Sequence, residues 1–217
     1  MATVAVIDYG MGNLHSIAKA LQHVADQQTI LVTSDPTAIT NADRVVLPGV
    51  GAMHDCIQAL TSFGLIEPVK MIAQKKPFLG ICLGMQALLS DSQENGDTTC
   101  LNLIRGHVLH FKTPLEDAAG NRLKVPHMGW NEVKQTPHPL WAGIPDNSRF
   151  YFVHSYYALP DDATTIAGRS HYPTPFACAL MKDNLFAVQF HPEKSQDVGL
   201  TLLRNFICWN GTHSCHD

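Results

Sequence analysis

The sequence has little that would tie it to a membrane or to nucleic acid. It has no excess of positive charge, because 15 Lys and Arg stand against 19 Asp and Glu and give a formal net charge of −4. No broad positive surface is therefore expected to attract nucleic acid or anionic lipid. The N-terminal apolar run ends at Asp8, too early for a signal peptide or a membrane span. We expect a cytoplasmic protein with neither kind of partner.

The sequence also lacks the spacings of metal sites and disulfide frameworks. No CxxC, HxxxH or HExxH motif occurs among its 6 cysteines and 12 histidines, and the closest cluster, His213 and His216, lies at the C-terminus. We predict free thiols, no metal and no cofactor. With 217 residues and 45% hydrophobic content, residues 1–217 are predicted to form one domain with its own core.

Apolar segments alternate between strand and helix patterns in the first half. Residues 3–7 form the continuous apolar run of a parallel strand, and Asn13 is the predicted N-cap of a helix with apolar residues three and four apart. Further elements are strands at 29–33, 44–47 and 77–81, a turn at 34–36, and helical stretches across 52–75. The fold class is therefore α/β, with a mainly parallel central sheet and helices on both faces.

Beyond about residue 105 the pattern shifts towards strands, some of them expected to be antiparallel. They are predicted at 106–111, 148–154, 164–168, 175–181 and 184–190, followed by a helix at 196–210. Three segments follow strands and carry reactive residues or glycines: 48–51, 80–84 and 189–193. Ligands bind beyond the carboxyl ends of parallel strands, so these segments should converge.

Cys82 lies where an apolar strand runs directly into a helical pattern, between Gly80 and Gly84. This arrangement predicts a nucleophile elbow, in which nearby glycines make room for a strained backbone turn. The alternative is a buried cysteine that packs as a small hydrophobe. His191 ends a later apolar strand, and Glu193, two residues on, is expected on the same face of that strand. We predict that His191 is the base and that Glu193 orients it. The alternative for His191 is a structural or surface role.

Acyl transfer also needs backbone donors for an oxyanion. The segment Pro48-Gly49-Val50-Gly51 can supply an N–H from Val50 or Gly51, and Leu83 follows the nucleophile and is the natural second donor. The alternative for the glycine segment is an ordinary strand-to-helix turn.

Together, GICLGMQ around Cys82 and FHPEKS around His191 resemble the class I, triad-type glutamine amidotransferases. The resemblance implies a flavodoxin-like fold and hydrolysis of glutamine to glutamate and ammonia through a Cys82 thioester. Four more segments narrow it to the glutaminase subunits of imidazole glycerol phosphate synthases: DYGMGNLHS, LPGVGAM, VPHMGWN and YFVHSYY. That family implies a heterodimer with a (β/α)₈-barrel cyclase, which uses the ammonia to form imidazole glycerol phosphate and an aminoimidazole carboxamide ribotide in histidine biosynthesis.

The resemblance also implies two further sets of residues. Glutamine would be held by Gln86, Glu94, Ser155 and Tyr156, and the partner interface and ammonia passage would involve Asn13, Trp130, Tyr151 and Lys194. Three of these residues have a simpler alternative: Glu94 fits a solvated loop, Trp130 fits packing in a loop, and Lys194 fits a surface charge. Met53 departs from the family pattern, in which an aromatic residue is expected there.

Three other functions remain open from the sequence. The chain could be the glutaminase of another class I amidotransferase, a cysteine hydrolase or peptidase on the same fold, or a non-catalytic regulatory module. For a glutaminase of the synthase family we also predict that the isolated chain hydrolyses glutamine poorly, and that its partner activates it by turning the Val50 peptide between Gly49 and Gly51.

Overall fold

Strands and helices alternate through the first half of the chain, as predicted. The computed structural model describes residues 2–112, 114–117 and 119–212. The helices are α1 (Leu14–Val24), α2 (Pro36–Asn41), α3 (Met53–Ser62), α4 (Ile66–Ala73), α5 (Leu83–Gln86) and α6 (Gln196–Cys208). Short 3₁₀ turns lie at Pro139–Trp141, Ala163–Thr165 and Pro192–Lys194.

The strands fall into three sheets in the described part of the chain. They are β1 (Thr3–Ile7), β2 (Thr29–Thr33), β3 (Arg44–Gly49), β4 (Phe78–Cys82), β5 (Asp91–Ser92), β6 (Thr98–Thr99), β7 (Gly106–His110), β8 (Leu115–Glu116), β9 (Arg122–Leu123), β10 (His127–Glu132), β11 (Lys134–Gln135), β12 (Arg149–His154), β13 (Tyr156–Pro160), β14 (Ile166–His171), β15 (Pro175–Lys182) and β16 (Leu185–Val188). Two small sheets pair β10 with β12 and β8 with β9, and the rest form the main sheet.

The main sheet runs in the order β2-β1-β3-β4-β16-β15-β13-β7-β5-β6, with β14 joined to β15 and β11. From β2 to β16 all neighbours are parallel, whereas β15 pairs antiparallel with β16, β13 and β14. The order 2-1-3-4 is that of flavodoxin-like folds. The predicted fold class, a mainly parallel sheet with antiparallel additions, is confirmed.

Two hydrophobic clusters cover opposite faces of the sheet. Along β1, Val4 and Val6 pack in the cluster that contains the apolar residues of α1 and α6, whereas Ala5 and Ile7 pack in the cluster of α3 and α4. Successive strand residues point to opposite faces, so a fully apolar strand requires helices on both. The expected three-layer arrangement is confirmed.

Several predicted elements differ from the structure for local reasons. The turn at 34–36 is the start of α2, because Asp35 accepts a hydrogen bond from the Thr37 N–H and Pro36 occupies the first turn. The helical stretch 52–75 divides near Gly64, whose φ of +66° ends α3. The segment around Trp130, interpreted as a loop, is strand β10, because each of its residues finds a partner on β12.

The described ranges contain five cysteines, and all five are free thiols. Within these ranges no single helix has the length and apolar content to cross a bilayer; α3 and α4 pass that test only together, and they are bent by 99° at their junction. The cluster around His213 and His216 lies outside the described residues.

Candidate active site

Cys82 occupies the sharp turn between β4 and α5. Its φ of 55° and ψ of −110° lie outside the regions that most residues adopt, as expected for a nucleophile elbow. The turn depends on Gly84, where an added Cβ would lie 1.9 Å from the Leu47 carbonyl oxygen. Gly80 is similarly constrained, since its Cβ would lie 2.9 Å from the Gly84 oxygen. Glycine at these two positions lets β3 and α5 approach closely enough to hold the cysteine.

His191 and Glu193 form a buried ion pair just beyond β16. His191 Nδ1 lies 2.8 Å from Glu193 Oε1, and their side chains are 2% and 3% exposed. We expected both on one strand face, but the strand ends at Val188 and Glu193 lies in the 3₁₀ turn Pro192–Lys194. The expected contact is present because the turn folds Glu193 back under the imidazole.

Backbone contacts fix the position of His191. Its N–H donates to the Tyr151 carbonyl at 2.9 Å, and its own carbonyl accepts from the Ser195 hydroxyl at 2.6 Å. The Ser195 hydroxyl in turn accepts from the Tyr151 N–H at 3.0 Å. The imidazole is therefore anchored on β12 and on the start of α6.

The charge balance of the pair favours a protonated imidazole. Burial opposes protonation of His191 most strongly, but its interactions with the Cys82 sulfur and the Glu193 carboxylate outweigh burial and raise its pKa. Among the described residues, His191 Nε2 has no hydrogen-bond partner. This nitrogen is available for proton transfer while Nδ1 holds Glu193.

One cavity of about 320 Å³ joins Cys82 and His191 to seven other residues of the predicted site. These seven are Val50, Gly51, Leu83, Gln86, Glu94, Ser155 and Tyr156. Glu193 lies behind His191, outside this cavity. The three chain segments predicted to converge therefore do so around one pocket.

The segment after β3 lies directly beside the elbow. Gly49 is the register partner of Cys82 between β3 and β4, so Val50 and Gly51 follow alongside Leu83. The Tyr9 hydroxyl donates to the Pro48 carbonyl at 2.7 Å and fixes the start of the segment. Gly51, at its end, has a φ of +106°, which favours glycine.

Glu94 and Gln86 have defined partners in the pocket. Glu94 Oε2 accepts from the Met53 N–H at 2.7 Å, at the first turn of α3, so Glu94 is held rather than freely solvated. The pKa of Tyr156 is raised by burial and then by the Glu94 charge, which requires the two groups to be close. Gln86 Nε2 donates to the Tyr156 carbonyl at 3.1 Å and to Gln189 Oε1 at 2.8 Å.

The structure brings together three of the four predicted interface residues. The Trp130 and Tyr151 rings meet edge to face at 6.1 Å between centroids, and Lys194 Nζ lies 6.0 Å from the Tyr151 centroid. Asn13 lies apart from this group and caps α1, as predicted, by accepting from the Ser16 N–H at 3.3 Å. Asn13 also lines a small cavity, and His191 and Glu193 line the same cavity.

Comparison with known proteins identifies the family. The sequence profile described as glutamine amidotransferase class-I matches residues 5–209. The chain belongs to this family.

Two relatives of this class I amidotransferase share a name. Both are called imidazole glycerol phosphate synthase subunit HisH. The protein from Methylococcus capsulatus is 62% identical, and the match covers 96% of this chain and 97% of the relative. The protein from Thiobacillus denitrificans is 56% identical, and the match covers 97% of this chain and 93% of the relative. Among solved structures, a putative GMP synthase protein from Thermoplasma acidophilum superposes with a TM-score of 0.68 at 20% identity, covering 95% of this chain and 92% of that one. PurLQS from Thermotoga maritima superposes with a TM-score of 0.66 at 14% identity, covering 95% of this chain and 97% of that one.

Sequence reasoning missed several residues that line the amidotransferase pocket or adjoin it. Pro126, Val153 and His154 line the cavity, and Gln189 is fully buried with its Nε2 at 3.7 Å from the Cys82 sulfur. The sequence offered one signal for Gln189, namely its position two residues before the predicted base His191. Within the described ranges, no group of three His, Cys, Asp or Glu residues could hold a metal ion.

Proposed function

We propose that this chain is the glutaminase subunit of an imidazole glycerol phosphate synthase, and that it supplies ammonia for histidine biosynthesis. The observation that carries the proposal is that Cys82, in a strained elbow, shares one pocket with His191, and that the buried Glu193 pairs with His191 from behind. The shared name of relatives at 62% and 56% identity supports this synthase over other class I amidotransferases. We also propose that residues 1–217 form one domain and act in the cytoplasm, which the free thiols of the described ranges favour.

The catalytic roles follow from the positions of the three side chains. The Cys82 thiolate attacks the carboxamide carbon of glutamine, and His191 Nε2 gives its proton to the departing ammonia, which leaves a γ-glutamyl thioester. His191 then takes a proton from water as the water attacks the thioester, so that glutamate leaves and Cys82 is restored. Glu193 holds the imidazole orientation and stabilises its positive charge.

The oxyanion of each tetrahedral intermediate would be held by backbone N–H groups of Val50, Gly51 and Leu83. The register of β3 with β4 supports this role, since it sets the segment after Gly49 beside the residue after Cys82. Loss of one such donor typically lowers kcat by about a hundred- to a thousandfold. A turn of the Val50 peptide is therefore sufficient to switch the site between low and high activity.

The glutamine substrate would lie in the cavity between Cys82 and β13. Its α-ammonium group would face Glu94, whose carboxylate is already fixed by the Met53 N–H. Gln86, Ser155 and Tyr156 line the same cavity and offer polar contacts for the remainder of the amino acid.

The partner would be a (β/α)₈-barrel cyclase that docks on the face carrying Trp130, Tyr151 and Lys194, with Asn13 near the ammonia passage. Exposed apolar side chains support an interface there, since Val50 is 39%, Met128 64% and Trp130 39% exposed. Val50 belongs at once to this exposed set and to the pocket, so a partner that contacts it can reach the proposed oxyanion hole directly.

The decisive measurement is glutamine hydrolysis by the free chain, the complex with the cyclase, and the complex with bound ribonucleotide. We expect low activity in the free chain and about a hundred- to a thousandfold rise in the nucleotide complex, the range for one recovered oxyanion donor. Trp130→Ala should weaken this activation, and Phe63→Ala, at another exposed aromatic residue, should leave it unchanged.

Two outcomes would contradict the proposal. A free chain that already turns over at the rate of the nucleotide complex would exclude the regulated subunit. Cleavage of peptides with no turnover of glutamine would instead support the cysteine peptidase considered from the sequence.

A further inference from the structure

Gln189 is a fully buried polar residue that the proposed mechanism does not use. It follows the last residue of β16, and its backbone N–H donates to the Cys178 carbonyl at 2.9 Å. Its side chain reaches into the space between Cys82 and Gln86. Burial of a carboxamide is unfavourable unless its donors and acceptors are used, so its contacts identify its role.

The two glutamine amides form a chain with one consistent direction. Both N–H bonds of Gln86 Nε2 are used, one to the Tyr156 carbonyl at 3.1 Å and one to Gln189 Oε1 at 2.8 Å. Gln189 must therefore present its oxygen to Gln86, because a reversed amide would bring two N–H₂ groups together. Its Nε2 is left facing the Cys82 sulfur at 3.7 Å, within the range of hydrogen bonds to sulfur.

We propose that Gln189 donates a hydrogen bond that stabilises the Cys82 thiolate, and that Gln86 is a positioning residue that fixes the Gln189 amide. The inference deepens the proposed glutaminase mechanism and rests on Cys82 as its nucleophile. Hydrogen bonds to ionised acceptors are stronger than those between neutral groups, so the contact favours thiolate over thiol. It favours the thiolate again when the thioester breaks and sulfur becomes the leaving group.

This role for Gln86 differs measurably from the substrate contact implied by the family resemblance. A residue that contacts only glutamine affects the enzyme only when glutamine is present. A residue that positions Gln189 affects the reactivity of the cysteine in the empty pocket. An assay without substrate therefore separates the two roles.

The test is the rate of Cys82 alkylation by iodoacetamide as a function of pH, in the full chain without glutamine. Peptide mapping assigns the modification to Cys82 rather than to the other thiols. Gln189→Met removes the donor and keeps much of the volume. We expect the pH of half-maximal rate to rise by about one to two pH units, the equivalent of one hydrogen bond to a charged group. Gln86→Met should raise it by a smaller amount.

Asn205→Leu is the matched control for burial of an amide. Asn205 is 7% exposed, and its amide donates to the Leu140 and Ala142 carbonyls, away from the pocket. This variant should unfold at a lower temperature and yet keep the alkylation profile of the unchanged chain.

Gln189→Glu is a second test if Gln189→Met does not fold, because it preserves shape and adds a negative charge beside the sulfur. It should raise the midpoint further than Gln189→Met.

An unchanged midpoint in folded Gln189→Met or in Gln189→Glu would overturn the role of Gln189. If the midpoint is unchanged in Gln86→Met alone, Gln86 does not position Gln189, and its role is contact with the glutamine substrate. The proposed function is judged separately by glutamine turnover in the complex with the cyclase. Absence of that turnover in the unchanged chain would overturn the glutaminase assignment while the alkylation profiles still report on the Gln189 bond.

Discussion

At the scale of single residues, reactivity depends on where Cys82 lies rather than on its being a cysteine. Burial raises the pKa of Cys56 to about 11 and that of Cys100 to about 12, so these thiols stay protonated and inert at neutral pH. Cys82 differs because it lies in the elbow, beside His191 in one pocket. Of these three thiols, Cys82 is the one placed for nucleophilic attack.

Cys82→Ala should therefore abolish glutamine-dependent synthesis in the complex with the cyclase. Synthesis with ammonium salt should persist at an unchanged rate, because the variant leaves the docking face intact. The measurement is product formation with each nitrogen source, and Cys56→Ala provides the control at another buried thiol. Glutamine-dependent synthesis retained by Cys82→Ala would contradict the assignment of the nucleophile.

Glu193 and His191 should differ in the size of their contributions. Glu193→Gln keeps an oxygen that can accept from His191 Nδ1 but removes the negative charge, so kcat should fall by roughly ten- to a hundredfold, the value of one charged hydrogen bond. His191→Ala removes the proton carrier and should cost roughly a hundred- to ten thousandfold. Steady-state kinetics of both variants in the activated complex test this order. Equal activity of Glu193→Gln and the unchanged chain would mean that the third member of the triad lies elsewhere.

At the scale of elements, the site depends on the close approach of β3 to α5. An added Cβ on Gly84 would lie 1.9 Å from the Leu47 carbonyl oxygen, which is backbone and cannot rotate away. Gly64 offers a contrast, since its Cβ would meet nothing within 4 Å although its φ is +66°.

Gly84→Ala should therefore cost about 3 kcal/mol or more in free energy of unfolding, at or above the upper end for overpacking. Gly64→Ala should cost about 1–2 kcal/mol, the cost of a left-handed conformation at a residue with a side chain. Urea unfolding followed by circular dichroism measures both. A Gly84→Ala variant as stable as Gly64→Ala would show that β3 and α5 can separate without loss.

At the scale of the whole molecule, buried neutral histidines make stability depend on pH. Burial lowers the pKa of His127 and His138 to about 4 and that of His154 to about 3. His127 Nδ1 and His154 Nε2 lie 2.9 Å apart, which requires one ring to donate and the other to accept. Below pH 6.5 the unfolded chain binds these protons and the folded chain does not. The stability that these histidines contribute is therefore fully present above about pH 6.5, and it is lost as the pH falls towards 4.

Between pH 6.5 and pH 5.0 the free energy of unfolding should fall by on the order of 1–2 kcal/mol for each of the three histidines. His191 does not offset this loss, because its raised pKa contributes a constant amount to the free energy of unfolding below pH 6.5. His138→Asn supplies the test, since Asn can still cap the turn by accepting from the Leu140 N–H but cannot titrate. Urea unfolding at the two pH values should show a smaller loss in this variant. An equal loss would assign the acid sensitivity to other groups.

The sequence by itself determined the local features of this protein. Fully apolar strands required a sheet covered on both faces, glycines around Cys82 required a tight turn, and Asn13 was recognisable as an N-cap, because each depends on neighbours in sequence. The motifs around Cys82 and His191 identified the family for the same reason.

The tertiary structure alone decided contacts between residues far apart in the chain. Glu94 is held by Met53, strand β10 exists because β12 pairs with it, and Gln189 faces the Cys82 sulfur because β16 lies beside β4. Hydrophobic periodicity records which face of an element is buried but not which element covers it, so these pairings are absent from any single segment. The candidate nucleophile was visible in one short motif, whereas the surroundings that would activate it depend on strands more than a hundred residues apart.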